Sequence, residues 1–483
     1  MRKISILLLL AVAVLSSCSQ DDTQTEEKKI ETDKQMNLGK IFDDALRSAQ
    51  AKSDLNAFIT LNKREQVTLS SNGRLAGITL VIKDNIHVSG LPNTAGTPAL
   101  ANFIPQDDAP VIARLVAEGA IIVGKANMHE LAFGITSNNA HFGAVKNPYD
   151  KTRFAGGSSG GSASAVAARI VRAAIGSDTG GSVRLPASLC GIIGFRSSLG
   201  RYPSEGITPI THTRDVPGPM ALTMADITLL DSVMSKRPEV TQPADLTSLR
   251  LGIARSPFFE NLNPETEAIM AATLERLESA GVTLVEIDMP NLLEINGKTG
   301  FPIALYDALA DMEIYLDKYN TGLNFFDLAK MVESEDVKAF YGPMSADANQ
   351  DGRPDGIIPK EVYVEALTVH REALKAIYKN AFEINSIDAL VFPTTILPAG
   401  LIEGSLETIE HNGALEPTFP TYVHNTDPGS NAGLPGISLP VGMTKTGLPV
   451  GMELDGRADD DERLLSIALA IEPLLEKLPA PKN

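Results

Sequence analysis

The chain has 483 residues, with 42 basic against 60 acidic side chains and a formal net charge of −18. That balance excludes a nucleic-acid binder, which needs a basic footprint. Two cysteines in so long a chain exclude a disulfide framework.

Met1–Cys18 places Arg2 and Lys3 before an apolar run from Ile4 to Leu15. The run is too short to span a bilayer comfortably and reads as a signal peptide. The small residues before Cys18 resemble a bacterial lipobox, which implies cleavage ahead of a lipid-modified Cys18. Lipid chains would tether the protein without a transmembrane helix. Residues 19–36 are acidic and polar and read as a disordered tether. The expected location is the bacterial cell envelope, periplasmic or surface-exposed.

Residues 37–483 contain no low-complexity linker and no internal repeat. They read as a single large α/β domain, a mixed sheet of about eight to eleven strands covered by helices on both faces. Strand candidates are Ile78–Ile82, Ala120–Val123, Ala389–Phe392, Gly436–Leu439 and Val450–Leu454, with amphipathic helices between many of them.

The densest chemistry lies between Gly156 and Arg184. Two glycine–serine clusters, Gly156–Gly161 and Asp178–Ser182, flank an Ala/Val-rich segment, Ser162–Ala174, that reads as a buried helix. Glycines beside a serine allow a sharp turn and free main-chain N–H groups to point at a ligand. A serine nucleophile needs both. A flexible linker would not be embedded in apolar sequence, and no lysine follows the glycines as a phosphate-binding loop requires.

Upstream, the apolar run Ile78–Ile82 ends in Lys83. Lys83 precedes Ser158 by 75 residues, and Ser182 follows Ser158 by 24. These three elements resemble the amidase signature family of serine hydrolases, and the similarity runs from about Leu38 onward. The resemblance implies a Ser–Ser–Lys triad with Ser182 as nucleophile, Ser158 as proton bridge and Lys83 as base. It also implies a cis Gly157–Ser158 peptide and an oxyanion hole from the N–H groups of Thr179, Gly180, Gly181 and Ser182. Ser159, Asp178 and Arg184 would support the loop. Burial at a strand end would keep Lys83 neutral, and Asp84, one residue on, should point away.

Three further stretches, 124–134, 206–220 and 425–435, look most like the mandelamide and indoleacetamide hydrolases, which cleave primary amides of aryl-substituted acids. Pocket candidates are Met128, His129, Phe133, Thr211, His212 and Asp427. The alternatives are an exported peptide amidase acting on C-terminal amides and an inactive binding lipoprotein. No histidine or cysteine cluster has zinc spacing. Asp347, Asn349, Asp351 and Asp355 read as a calcium loop around Gly352, although Ile358 stands where a bidentate Glu belongs. No cofactor is required; calcium would be a structural ion. The expected partners are a small-molecule amide and water, a membrane through the lipid anchor only, and no nucleic acid, in a monomer or homodimer. Cys190, in the apolar run Leu189–Gly194, reads as a buried structural thiol.

Overall fold

In the computed structural model the described residues are 34–348, 350 and 352–482. The expected signal peptide, Cys18 and most of the tether lie outside them. Residues 34–51 form a helix, so the last three residues of the expected 19–36 tether are helical. No helix among the described residues is long and apolar enough to cross a membrane.

The scaffold is an eleven-stranded mixed sheet, at the upper end of the expected size. In chain order its strands are β1 (Phe58–Leu61), β2 (Thr79–Lys83), β3 (Ile121–Ala126), β4 (Ala173–Asp178), β5 (Ile193–Arg196), β6 (Val216–Ala221), β7 (Arg250–Ile253), β8 (Thr283–Glu286), β9 (Ala389–Pro393), β10 (Gly436–Met443) and β11 (Pro449–Asp455). Their spatial order is β1-β3-β2-β4-β6-β5-β10-β11-β9-β7-β8. Pairing is parallel across β3-β2-β4 and across β9-β7-β8. Between these blocks every neighbour is antiparallel.

Strand period decides which core each side chain enters. Leu80 and Ile82 of β2 pack with Val111, Ile112 and Leu115 of helix Pro110–Ala117. Val81 faces the opposite layer, with Ala163 and Val166 of helix Gly160–Ala167. Both faces are thus buried, and β2 reads as a continuous apolar run until Lys83 ends it. The helix expected over Ser162–Ala174 stops at Ala167. Arg169 adopts φ +59°, which a helix interior does not tolerate, and the chain turns into β4 at Ala173.

Residues 292–385 form a helical lobe over one end of the sheet, led by Leu292–Lys318. Its own core joins Met312, Phe325 and Tyr341 to Ala95, Leu100 and Leu131 of the sheet's loops. The region expected to bind calcium belongs to this lobe. Asn349 and Asp351 lie outside the described residues, while Asp347 and Asp355 accept backbone hydrogen bonds from Gly352 and Ala348.

Candidate active site

Lys83 closes β2 and is completely buried. Its Nζ lies 2.7 Å from Ser158 Oγ, 2.8 Å from Ser177 Oγ and 3.2 Å from the Ser177 carbonyl. All three partners are uncharged, and both hydroxyls can give a hydrogen as well as accept one. They therefore suit a neutral amine as readily as a cation. Burial brings the Lys83 pKa down to about 7, against an opposing pull from the Asp178 and Asp215 carboxylates. Asp84 does turn away. It accepts from the Thr94 backbone N–H and hydroxyl and lies 3.4 Å from Lys125 Nζ, an ion pair buried beneath the site.

The Gly157–Ser158 peptide is cis. The carbonyl of Ser158 accepts from the His129 backbone N–H at 3.2 Å and from the Ser137 hydroxyl at 3.3 Å, which fixes the serine between two loops. Ser159 Oγ accepts the Ser177 N–H at 3.3 Å and faces its carbonyl oxygen at 3.2 Å, which binds the first glycine–serine cluster to β4. Helix Gly160–Ala167 approaches the backbone so closely that a Cβ on Gly161 would collide with the carbonyl oxygens of Asn127 and Ala57. Glycine is required there for space.

The second cluster is held by its own acid. Asp178 accepts from the N–H groups of Gly181 at 2.9 Å and Val183 at 3.1 Å. Arg184 Nε and Arg196 Nη1 reach the same carboxylate at 3.1 and 3.0 Å. Asp178 pays for its burial through these guanidiniums, which hold it ionised well below the usual carboxylate range. Because the Gly181 N–H is spent on Asp178, this member of the expected oxyanion hole is not free. Thr179, Gly180 and Ser182 are the remaining donors of the turn. Gly181 itself sits at φ +131°, which favours glycine.

Arg184 also reaches Ser430 Oγ at 2.6 Å, the Thr426 carbonyl at 3.2 Å and the Glu453 carboxylate. Beside Glu453 lies Asp455, also buried. Burial and then the neighbouring carboxylate push the Asp455 pKa far up, so the pair retains a proton. Asp215 links the Ser182 turn to the next loop: it accepts Thr179 Oγ1 at 2.6 Å and the N–H groups of Ile210 and Thr211 at 2.7 and 3.0 Å.

Ser182 and Thr179 open into a pocket of about 670 Å³. Phe133, Phe340, Phe301 and Phe419 line it, with Arg214 and Asp427 as an inner polar pair 3.2 Å apart. Of the sequence-derived pocket candidates, Phe133 and Asp427 line it. The other four do not. Met128 packs inward with Ala132, Ile210 and Ala304. His129 is buried behind the wall, 2.9 Å from Asp336, which does face the pocket. Thr211 turns to Asp307 at 2.6 Å, and His212 is exposed on Asp311 at 2.9 Å. Sequence reasoning also missed Ser177 and Asp215, although both lie inside the stretches it singled out. Phe301, Phe340 and Phe419 belong to no motif that would mark them. Cys190 is buried, its Sγ 3.2 Å from the Ala155 carbonyl, and burial raises the thiol pKa.

Comparison with known proteins places the chain in a family. The family model described as Amidase matches residues 23–465. An indoleacetamide hydrolase of Rhizobium radiobacter is 43% identical over 431 residues, covering 88% of this chain and 90% of its own. A mandelamide hydrolase of Pseudomonas putida is 38% identical over 448 residues, covering 89% of this chain and 86% of its own. The crystal structure of a peptide amidase from Stenotrophomonas maltophilia superposes with a TM-score of 0.73 at 26% identity, covering 92% of this chain and 95% of that one. The chain belongs to the amidase signature family and is a hydrolase of amide carbon–nitrogen bonds.

Proposed function

We propose that this enzyme converts a primary amide of an apolar, aryl-bearing acid to the acid and ammonia through an acyl-enzyme on Ser182. The observation that carries the reading is the buried Lys83, held among neutral oxygens with its pKa near 7 and 2.7 Å from Ser158 Oγ. Ser182 Oγ attacks the amide carbonyl while Ser158 takes its proton and passes its own to the neutral Lys83 amine. The tetrahedral oxyanion takes hydrogen bonds from the N–H groups of Thr179, Gly180 and Ser182. Collapse breaks the carbon–nitrogen bond, and the proton returns through Ser158 to the nitrogen, which leaves as ammonia. Water then enters by the same proton path, releases the acid and restores Ser182.

The aromatic lining of the pocket supports an aryl acyl group, as do the names of the two hydrolases similar to this chain. The test is ammonia release from aryl-acetamides, short aliphatic amides and C-terminally amidated peptides, run beside Ser182→Ala. Release from aryl amides alone, lost in the variant, supports the reading; release from amidated peptides alone replaces it with peptide amidase activity. Loss of both turnover and fluorophosphonate labelling of Ser182 in folded protein would leave a binding lipoprotein. The sequence of Met1–Cys18 further supports a lipid-anchored envelope protein, tested by mass spectrometry of the amino terminus from a membrane fraction.

A further inference from the structure

Lys83 has more hydrogen-bond partners than its neutral amine can serve freely. Loss of one proton from a lysine ammonium leaves two hydrogens and one lone pair. The Ser177 carbonyl can only accept, so one hydrogen goes to it at 3.2 Å. The second hydrogen and the lone pair are left for two hydroxyls, Ser158 Oγ at 2.7 Å and Ser177 Oγ at 2.8 Å. A base that draws the proton of Ser158 must turn its lone pair to Ser158. Ser177 Oγ must then accept, and its own hydrogen needs another acceptor. Without one, the Ser177 hydroxyl points into the lone pair and competes with Ser158.

That acceptor is Asn85. Side chains alternate along an extended chain, so Asn85 returns to the side of Lys83 while Asp84 between them turns away. Asn85 is buried, 2% exposed. Its Nδ2 lies 3.1 Å from Ser177 Oγ and 3.4 Å from the Thr208 carbonyl, and its Oδ1 lies 3.5 Å from Ser177 Oγ. A carbonyl accepts only, so the atom facing Thr208 is the amino group and the other is the oxygen. The Asn85 backbone carbonyl accepts the Thr208 N–H at 2.8 Å, which clamps the residue against the 206–220 loop. Among the described residues, Ser177 Oγ is hydrogen-bonded to Lys83 and Asn85 alone. The contact with Oδ1 is long, and apart from Lys83 it is the one acceptor open to the Ser177 hydrogen.

Taking as given that Ser158 relays protons between Ser182 and Lys83, we propose that Asn85 is a positioning residue that holds the Ser177 hydroxyl off the Lys83 lone pair and so reserves that lone pair for Ser158. In the resting enzyme Lys83 donates to the Ser177 carbonyl and hydroxyl, Ser177 donates to Asn85 Oδ1, and Ser158 donates to Lys83. When the relay runs, the Ser158 O–H bond breaks, a third N–H bond forms on Lys83, and Ser158 takes up the Ser182 proton. The new ammonium donates to Ser158 Oγ, Ser177 Oγ and the Ser177 carbonyl, and no contact behind it has to rearrange. The charged groups around Lys83 are the Asp178 and Asp215 carboxylates, with the Asp84–Lys125 pair beneath. Asn85 directs the hydrogen without adding a further charge that would favour the ammonium.

The experiment measures kcat/KM for ammonia release from an aryl-acetamide between pH 5 and 9.5. It compares the wild type with Asn85→Leu, Asn85→Asp and the double variant Asn85→Leu with Ser177→Ala. Asn85→Leu should lose a factor of about 10 to 100 on the high-pH plateau. Its low-pH limb should move to lower pH, because a protonated Lys83 then leaves the Ser177 hydrogen without an acceptor. The double variant lacks the competing hydroxyl and should be about tenfold more active than Asn85→Leu, although it has one polar contact fewer. Asn85→Asp retains the acceptor and adds a carboxylate, so its plateau should exceed that of Asn85→Leu and its limb should move to higher pH. A merely structural residue gives no rescue in the double variant and no displacement of the Asn85→Leu limb; either result overturns the proposal. Asn85→Ala, alone and with Ser177→Ala, takes the place of the leucine variants if they fail to fold. If the wild type is labelled by fluorophosphonate but spares the amide, the labelling rate replaces kcat/KM in every comparison. A wild type with neither turnover nor labelling of Ser182 overturns the catalytic reading and the proposal together, whereas an active wild type with an unrescued double variant overturns the proposal alone.

Discussion

Acidification from pH 8 to pH 5 should silence this enzyme through Lys83. A lysine at its ordinary pKa is neutral in about one molecule in three thousand at pH 7. With the Lys83 pKa near 7, half the molecules carry a neutral amine, a gain of roughly 1,500-fold in competent base. In the free enzyme kcat/KM should therefore fall tenfold per pH unit below about 7 and level off above it. Asp215→Asn removes a carboxylate that raises the Lys83 pKa, so the limb should move to lower pH. Lys83→Met should lose about two to four orders of magnitude in kcat/KM and lose the limb as well. The assay is initial ammonia release from an aryl-acetamide between pH 5 and 9.5. A flat wild-type profile, or a limb near 7 that persists in Lys83→Met, refutes the assignment of Lys83 as base. A stability measurement provides a second check. The unfolded chain holds this proton up to about pH 10.5 and the folded protein releases it near 7. The burial penalty is thus full below about pH 7 and fades as pH rises toward 10.5. Lys83→Met should be the more stable protein at pH 6, by at most about 4 to 5 kcal/mol, and the gain should vanish toward pH 10.5.

Three other substitutions probe the scaffold of the site. Ser182→Ala should lower turnover by about 10⁴-fold or more and abolish fluorophosphonate labelling, with the midpoint of thermal unfolding nearly unchanged. Gly161→Ala drives a methyl into two backbone carbonyls, and urea unfolding should report a loss of about 3 kcal/mol or more. Arg184→Met leaves the buried Glu453 carboxylate without its guanidinium and Asp178 with Arg196 alone, at about 3 to 5 kcal/mol. That loss should be larger at pH 8 than at pH 5, because the Glu453–Asp455 pair takes up protons on acidification; an equal loss at both pH values counts against the electrostatic account.

The glycine–serine turns and the buried Lys83 beside Ser158 were readable because their constraints are local. Glycines that free a serine at a turn leave a dense signature, and a lysine ending an apolar strand violates the pattern around it. The opposite directions of Lys83 and Asp84 followed from strand period alone. The pocket beside Ser182 was harder to read because it is assembled from side chains whose neighbours are remote in sequence. Phe301, Phe340 and Phe419 come from two helices and the start of a third, and nothing in their local sequence distinguishes a pocket aromatic from a core one. His129 and His212 were misplaced because composition draws attention to histidine, while orientation depends on Asp336 and Asp311, more than 90 residues away in each case. The helix expected over Ser162–Ala174 was too long because Ala173 and Ala174, helix formers by propensity, are drawn into buried β4 by pairing with strands remote in sequence. The turn at Arg169 carries no glycine or proline to announce it.

Arg184 is anchored to Asp178 on one side and to Thr426, Ser430 and Glu453 on the other. The turn that presents Ser182 is therefore braced by residues synthesised about 270 positions later. A growing chain that has exposed Lys83, Ser158 and Ser182 to solvent does not yet hold Ser182 in place. That brace is complete only when β11 has docked, close to the end of synthesis. A chain stalled or truncated before that strand lacks it, so the fold ties the positioning of Ser182 to completion of the chain.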